Sequence, residues 1–194
     1  MKTNLIEFRQ VMGLSHEDLP RLQGILAELV GEPFQFARVS YGDELTLHFG
    51  DLRPARSPKL RERMYGAYIL GMRGSPWVLK SGLEPVVLCE GVVPVVSGRH
   101  MGGRPVSKEE VEEGRFIERG SRVLRADPFP VRPVEGVGLQ LRLSDGSALI
   151  VLPTVQEPDD PEDRELPELA DWELISPRGF LKVGPGYQWS FEPR

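Results

Sequence analysis

The sequence predicts a mainly β protein of the α+β type, in which two related antiparallel units pack into one body. Three observations indicate this fold. Apolar and polar residues alternate along much of the chain, which is the period of a β-strand. The 194 residues include 21 glycines and 18 prolines, enough turn formers to divide the chain into short strands. Finally, a strand pattern near residue 45 recurs near residue 139.

The recurring pattern covers residues 44–51 and 138–145, which read ELTLHFGD and GLQLRLSD. Three apolar strand positions and the aspartate of the next turn correspond at an offset of 94 residues. A second match joins WVLKSG at 77–82 to GFLKVG at 179–184 at an offset of 102, and a Ser-Pro pair precedes each copy. We therefore predict one β unit used twice, at 33–98 and 115–194. A lone sheet would leave one apolar face in water, and a second copy can cover it.

Helical segments are predicted outside these units. Residues 1–32 form a helical N-terminal segment, whose clearest helix has Ser15 as its N-cap and ends at Gly31. Apolar side chains recur along it at helical spacing: Leu19, Leu22, Ile25, Leu26 and Leu29. Residues 99–114 are predicted to be a hinge followed by a short helix, Lys108–Glu113, which begins with the capping-box pattern of Ser107 and Glu110.

The start of the chain also resembles the opening of a repressor-type helix-turn-helix, through GLSHEDL at 13–19. The resemblance implies that a recognition helix follows, with Arg, Lys, Gln or Asn facing a DNA groove. The chain instead continues as GILAELVGEP at 24–33, which is apolar and acidic. This composition favours an ordinary amphipathic helix that packs on the core.

Strand patterns are predicted throughout both units. Phe34 and Phe36 begin the first hairpin and are expected on one face. A strand at 116–124 is expected to lead into a proline-rich connector at 127–133. The hairpin at 139–152 is the clearest, because an Asp-Gly pair suits the tight turn between its strands. Three short strands are expected to close the chain, at Asp171–Ser176, Gly179–Val183 and Tyr187–Phe191.

Composition narrows the class of protein. The chain has one cysteine, Cys89, so no internal disulfide can form, and no apolar run is long enough to span a bilayer. The formal net charge of −5 argues against nucleic acid as the main partner. The histidines do not have zinc-ligand spacing, and no cofactor loop or nucleophile motif stands out. We therefore expect a cytoplasmic protein without a metal, a cofactor or a membrane partner.

Charge is concentrated in two stretches of the chain. Residues 53–82 contain seven basic side chains and one acidic one, whereas residues 157–173 contain nine acidic side chains and one basic one. The basic part at 53–63 is predicted to be a loop between strands. The acidic stretch 153–169 is predicted to be an exposed loop of the second unit. These loops are able to pair with each other or to face different partners.

The acidic loop and the aromatic end of the chain form the candidate partner-binding surface. Carboxylates attract a basic surface, and Trp and Tyr anchor interfaces well. The predicted binding residues are Asp159, Asp160, Glu162, Asp163, Glu165, Trp172, Tyr187 and Trp189. Because Tyr187, Trp189 and Phe191 share one face of a strand, they form either a core stripe or a binding platform.

A second candidate site would bind an anion. Arginines of the basic loop provide charge, and the glycines at 98–104 free backbone amides that can cradle oxygen atoms. The candidate residues are Arg53, Arg56, Arg61, Arg99, His100 and Arg104. The simpler interpretation is a solvated loop in the first case and a hinge in the second.

From these features we expect a non-enzymatic, cytoplasmic protein-binding module, such as an adaptor or an immunity-like antidote that masks a basic enzyme surface. Its partner is expected to be another protein with a basic surface. Two alternatives stay open at this point. One is an anion-, nucleotide- or nucleic-acid-binding protein, including a hydrolase. The other is a structural assembly subunit whose edge strands pair between chains.

Overall fold

Within the residues that it describes, the computed structural model is mostly β-sheet with one α-helix near its start. The described residues are 17–39, 44–55, 62–72, 75–80, 86–88, 95–96, 99–100, 103–105, 113–114, 116–131, 136–154 and 170–194. Helix α1, Asp18–Leu26, continues as a 3₁₀ turn, Ala27–Leu29. The strands are β1 Phe34–Val39, β2 Leu45–Pro54, β3 Met64–Met72, β4 Trp77–Lys80, β5 Val86–Leu88, β6 Val95–Val96, β7 Arg99–His100, β8 Gly103–Pro105, β9 Val123–Val131, β10 Gly136–Leu143, β11 Ala148–Val151, β12 Trp172–Ile175, β13 Gly179–Val183 and β14 Trp189–Pro193.

Most of these strands belong to two largely antiparallel sheets of six strands each. Sheet I has the order β1-β2-β3-β12-β13-β14, and sheet II has the order β8-β5-β4-β11-β10-β9. Strands β5 and β8 are parallel neighbours, and β6 pairs with β7 outside both sheets. Each sheet combines strands from both halves of the chain, so the two predicted units share both sheets.

Apolar rows that cross the strands of each sheet form the core. One row of sheet I contains Ala37, Leu47, Leu70 and Leu174. One row of sheet II contains Ala126, Leu141, Leu149 and Leu79. The next row along contains Val39, Leu45, Met72 and Trp172 in sheet I. Its counterpart in sheet II contains Pro128, Leu139, Val151 and Trp77. All of these side chains except that of Pro128 are buried in one core cluster, so the sheets form a sandwich.

Helix α1 packs on this core with the apolar stripe that the sequence predicts. Leu22, Leu26 and Leu29 are fully buried. The amide nitrogen Nε2 of Gln23 donates to the Ala126 carbonyl of β9 at 2.8 Å. The α-helix ends at Leu26 and its 3₁₀ turn at Leu29, earlier than the predicted end at Gly31. Gly31 follows this turn with a φ of 91°, in the left-handed region. The predicted N-cap, Ser15, lies outside the described residues.

A bulge in β1 corrects the predicted first hairpin. The register between β1 and β2 shifts between Phe34 and Phe36, so these residues do not share a face. Phe34 is buried against Phe49 in an edge-to-face pair with ring centroids 5.8 Å apart. Phe36 instead lies on the outer face of sheet I, beside His48. Sequence alternation does not reveal the extra residue, because a bulge changes the face of every residue that follows it.

The expected strand at 116–124 and the connector at 127–133 were also wrong in their bounds. Phe116 and Ile117 are buried in a turn segment, and β9 runs from Val123 through the proline-rich residues to Val131. Strand β9 is an edge strand of sheet II, where a proline without an N–H group is tolerated. The predicted helix at 108–113 lies outside the described residues apart from Glu113, which is in a turn.

The clearest sequence predictions are confirmed. Strands β10 and β11 form the expected hairpin around Asp145 and Gly146, and Gly146 has a φ of 85°. Strand β13 has the predicted bounds, and β12 and β14 lie within about two residues of theirs. Among the residues described, no helix has the length and apolar character needed to cross a membrane.

Candidate functional site

A buried carboxylate holds together the two points at which the acidic stretch joins the fold. Asp171, fully buried before β12, accepts hydrogen bonds at Oδ1 from the Thr154 N–H at 2.9 Å and the Thr154 hydroxyl at 2.6 Å. The Ser75 hydroxyl donates to the same oxygen at 3.2 Å. Thr154 follows β11, so residues 155–169, which are outside the described part, leave and rejoin the sandwich at one place. We call these three residues the Asp171 clamp.

The turn between β13 and β14 lies against this clamp. Gly184 has a φ of 86°, and a Cβ atom added there would overlap Oδ2 of Asp171. The Gly184 N–H donates to the Gln188 carbonyl at 2.8 Å, which closes the turn that carries Tyr187. Oδ2 of Asp171 has no hydrogen-bond partner among the described residues, and burial raises the pKa of this carboxyl against the hydrogen bonds from Thr154 and Ser75. The described residues that flank the acidic stretch, Thr154 and Asp171, therefore lie beside the turn that carries Tyr187.

The aromatic residues predicted for partner binding differ in their accessibility. Trp172 is fully buried, and its indole Nε1 donates to the Val137 carbonyl of sheet II at 2.8 Å. It is a core residue and cannot touch a partner while the sandwich is closed. Tyr187 and Trp189 are half-buried, and like Phe191 they pack against the core from the edge of sheet I. The predicted carboxylates, Asp159, Asp160, Glu162, Asp163 and Glu165, lie outside the described residues.

The anion candidates are spread over separate parts of the fold. Arg53 is exposed near the end of β2, opposite Tyr65 of β3. The backbone at Arg99 and His100 forms β7, whereas Arg104 belongs to β8 at the edge of sheet II. Arg56 and Arg61 lie outside the described residues. The described strands thus do not bring the 99–104 segment into one sheet with the β2–β3 hairpin.

The two charged stretches join sheet I at opposite ends. The basic stretch extends from the hairpin where Pro54 pairs with Met64, and the acidic stretch returns where Trp172 pairs with Met72. Met64 and Met72 are the two ends of β3, and a strand of this length spans about 25 Å. The described ends of the two stretches are therefore separated by the length of β3.

A cluster that the sequence did not predict occupies the outer face of sheet I. The imidazole of His48 stacks on the ring of Phe36, with centroids 4.2 Å apart, and Tyr65 lies 5.6 Å from His48. The Arg38 guanidinium is 4.8 Å from the Phe36 centroid and 5.3 Å from the Tyr65 centroid. His48 lies on the outer face of its strand, yet it is only 1% exposed. The bulge that turns Phe36 outward covers it.

His48 is held as a neutral hydrogen-bond acceptor. Its Nδ1 accepts the Gly66 backbone N–H at 3.2 Å, so the single proton of the neutral ring belongs on Nε2. Burial and, to a smaller degree, the charge of Arg38 lower the pKa of His48 from 6.5 to about 4. Protonation would put an N–H group opposite the Gly66 N–H and break this bond.

We expect the free energy of unfolding to decrease as the pH falls from 6.5 toward 4. In this range the unfolded chain binds a proton at residue 48 and the folded protein does not, so acid favours unfolding. The shift of the His48 pKa corresponds to about 3 kcal/mol at the acid end of the range. His48→Asn retains an acceptor near the Nδ1 position and removes the titration. Urea unfolding of both proteins from pH 7 to pH 4 should show their stability difference narrowing, and a constant difference would refute the assignment.

Comparison with known protein families, with curated proteins and with solved structures finds no match in any of the three. Within the described part of the chain, no group of three His, Cys, Asp or Glu side chains could hold a metal ion.

Proposed function

We propose that the chain is a cytoplasmic, non-enzymatic protein-binding module of the adaptor or antidote kind. It binds a partner with a basic surface through the acidic–aromatic end, which we define as residues 155–169 with Tyr187 and Trp189. The observation that supports this proposal is the Asp171 clamp. It fixes both ends of the acidic stretch beside Gly184, at the start of the turn that carries Tyr187.

Charge and aromatic surface have different roles in such an interface. A dense group of carboxylates raises the association rate with a basic partner, which lowers the dissociation constant, and disfavours acidic partners. Aromatic side chains supply most of the binding free energy when they enter a pocket of the partner. Tyr187 and Trp189 are half-buried against the core, which keeps them in place before binding. The same end of the fold thus combines carboxylates that attract a basic partner with aromatic side chains that anchor it.

The proposal is tested by comparing what the protein and its variants capture from nuclease-treated lysate. An acidic-stretch variant carries Asp159→Asn, Asp160→Asn, Glu162→Gln and Asp163→Asn. A second variant carries Tyr187→Ser. We expect one basic protein to be retained by the unchanged chain and released by salt. Its dissociation constant should rise at least about tenfold in each variant, because each removes one of the two contributions.

The matched control neutralises four described carboxylates at the opposite end of sheet I, with Glu32, Asp51, Glu62 and Glu118 changed to their amides. It alters net charge by the same amount and should leave the affinity within about threefold, since distant charges act mainly through the overall field. Equal loss of binding in the control and in the acidic-stretch variant would show that overall charge and not this end is responsible. Undiminished binding by the acidic-stretch variant would overturn the proposal.

We also propose that the sandwich arose by duplication of one β unit. Strands β1, β2 and β3 follow one another in sheet I, as β9, β10 and β11 do in sheet II. In both cases the chain then crosses to the other sheet, where β4 pairs with β11 and β12 pairs with β3. Strands β2 and β10, which carry the first sequence repeat, therefore occupy equivalent places in this order.

The register of the sheets supports the same correspondence. Leu45 pairs with Met72 and through it with Trp172, while Leu139 pairs with Val151 and through it with Trp77. The two tryptophans thus occupy equivalent positions at the start of β12 and β4. The second sequence match aligned β4 with β13, one strand further out, and on this register the equivalent of β4 is β12. On this register the offset is 94 residues for Leu45 and Leu139, 79 for Met72 and Val151, and 95 for Trp77 and Trp172. The longer β2–β3 connection of the first unit is thus balanced by the longer β11–β12 connection of the second.

A further inference from the structure

We propose that Arg38 and the base of the β2–β3 hairpin form a binding site for a phosphate group. The site is distinct from the acidic–aromatic end and does not depend on the function proposed for it. It lies on the outer face of sheet I, where the guanidinium of Arg38 contacts the rings of Phe36 and Tyr65. The hairpin base is defined here as residues 51–55 and 62–66.

A bulge in β2 creates this arrangement. The register between β2 and β3 shifts between Phe49 and Leu52, and Gly50 within the shift has a φ of 74°. Bulges bend a strand and increase its twist. The start of β3 consequently reaches Arg38 on β1, whose Nη2 donates to the Met64 carbonyl at 3.3 Å. The arginine is therefore held by two aromatic rings and one backbone oxygen.

The side chain of Arg38 is preorganised to bind an anion. A guanidinium has five N–H donors in a fixed plane, and the contact with Met64 uses one nitrogen. The ion pairs found among the described residues are Arg125–Asp127 and Arg178–Glu28, so no described carboxylate neutralises Arg38. The contacts with two aromatic rings restrict the side chain, so it has little conformational freedom to lose when it binds an oxyanion.

The surrounding charges favour phosphate over a carboxylate. Arg53 and Arg63 are both exposed at the hairpin base, where the Ala55 N–H donates to the Arg63 carbonyl at 3.0 Å. The exposed carboxylates at the base are Asp51 and Glu62. A group with close to two negative charges gains more from several arginines than a carboxylate with one.

The test titrates the full chain with pyrophosphate and, separately, with a single-stranded oligonucleotide, by calorimetry at low and at physiological salt. We expect saturable binding of pyrophosphate, with the dissociation constant raised at least about tenfold in Arg38→Lys, which retains the charge but loses the planar fork. Arg142→Ala removes an exposed arginine from sheet II and is the matched control, with binding unchanged. Tighter, salt-dependent binding of the oligonucleotide identifies nucleic acid as the source of the phosphate, and preference for pyrophosphate identifies a small ligand.

A second readout requires no substitution. Because Arg38 helps to lower the pKa of His48, an anion bound to Arg38 should raise that pKa, and NMR titration of the His48 ring with and without pyrophosphate measures the change. Thermal unfolding of Arg38→Lys shows whether the variant is folded. Failure of pyrophosphate and the oligonucleotide to bind at millimolar concentration, or equal binding by Arg38→Lys together with an unmoved His48 pKa, would overturn the proposal. Neither result bears on the acidic–aromatic end.

Discussion

Replacing Trp172 by alanine is expected to lower the free energy of unfolding by about 3–5 kcal/mol. Its side chain is fully buried in the row that joins β3 to β12, and the indole N–H binds the Val137 carbonyl across the two sheets at 2.8 Å. Removal leaves a cavity between the two sheets and an unsatisfied carbonyl in sheet II. Urea unfolding followed by far-ultraviolet circular dichroism measures the change without relying on tryptophan fluorescence.

Two companion substitutions make the result interpretable. Trp172→Phe fills most of the volume and loses the hydrogen bond, so it should cost about 1–2 kcal/mol and remain folded if the alanine variant does not. Trp77→Ala truncates the tryptophan at the equivalent position of sheet II, which is 2% exposed. If the proposed duplication is right, its cost should agree with that of Trp172→Ala within about 1 kcal/mol. A loss below about 1 kcal/mol for Trp172→Ala would show that Trp172 is not a central core residue.

Gly184→Ala is expected to destabilise the protein by about 2–5 kcal/mol, through two separate effects. The φ of 86° at this position disfavours any residue with a Cβ atom, and that atom would overlap Oδ2 of the buried Asp171. Asp171 cannot move aside without losing its hydrogen bonds from Thr154 and Ser75. The same urea titration measures the loss.

A second glycine separates the two effects. Gly31 has a φ of 91° but nothing within 4 Å of the position that a Cβ would occupy. Gly31→Ala should therefore show the backbone effect alone, about 1 kcal/mol. In an Asp171→Ala background the Gly184→Ala substitution should cost less than in the unchanged chain, since the overlapping carboxylate is gone. If Gly31→Ala and Gly184→Ala lower the free energy of unfolding equally, a Cβ atom at residue 184 does not clash with Asp171.

Patterns of neighbouring residues in the sequence predict those parts of the fold that are determined by contacts between sequence neighbours. The β10–β11 hairpin was predictable because both strands and the turn glycine, Gly146, lie within a few residues of one another. Strand β9 was not, because its prolines read as a connector unless its place at a sheet edge is known. The proposed duplication rests on the match of β2 with β10 and on the register of the sheets, because short apolar strands resemble one another at several offsets.

The candidate sites depended on contacts that no local pattern contains. Ser75 and Asp171 are 96 residues apart in the chain, so the clamp could not be inferred from spacing. The cluster around Arg38 requires bulges in two neighbouring strands, at Phe34–Phe36 and at Gly50. Burial of Trp172 was likewise hidden, because a tryptophan beside acidic residues in the sequence gives no sign of which sheet covers it.

The Asp171 clamp has a consequence for how this protein can change over time. Since three side chains already hold Thr154 and Asp171 together, the sandwich does not depend on the residues between them for its closure. Lengthening a closed loop is cheap, with each doubling costing only about 0.6 kcal/mol. Residues 155–169 are therefore able to diverge in length and charge while the scaffold stays the same. New binding preferences can therefore arise in this segment without a change in the two sheets.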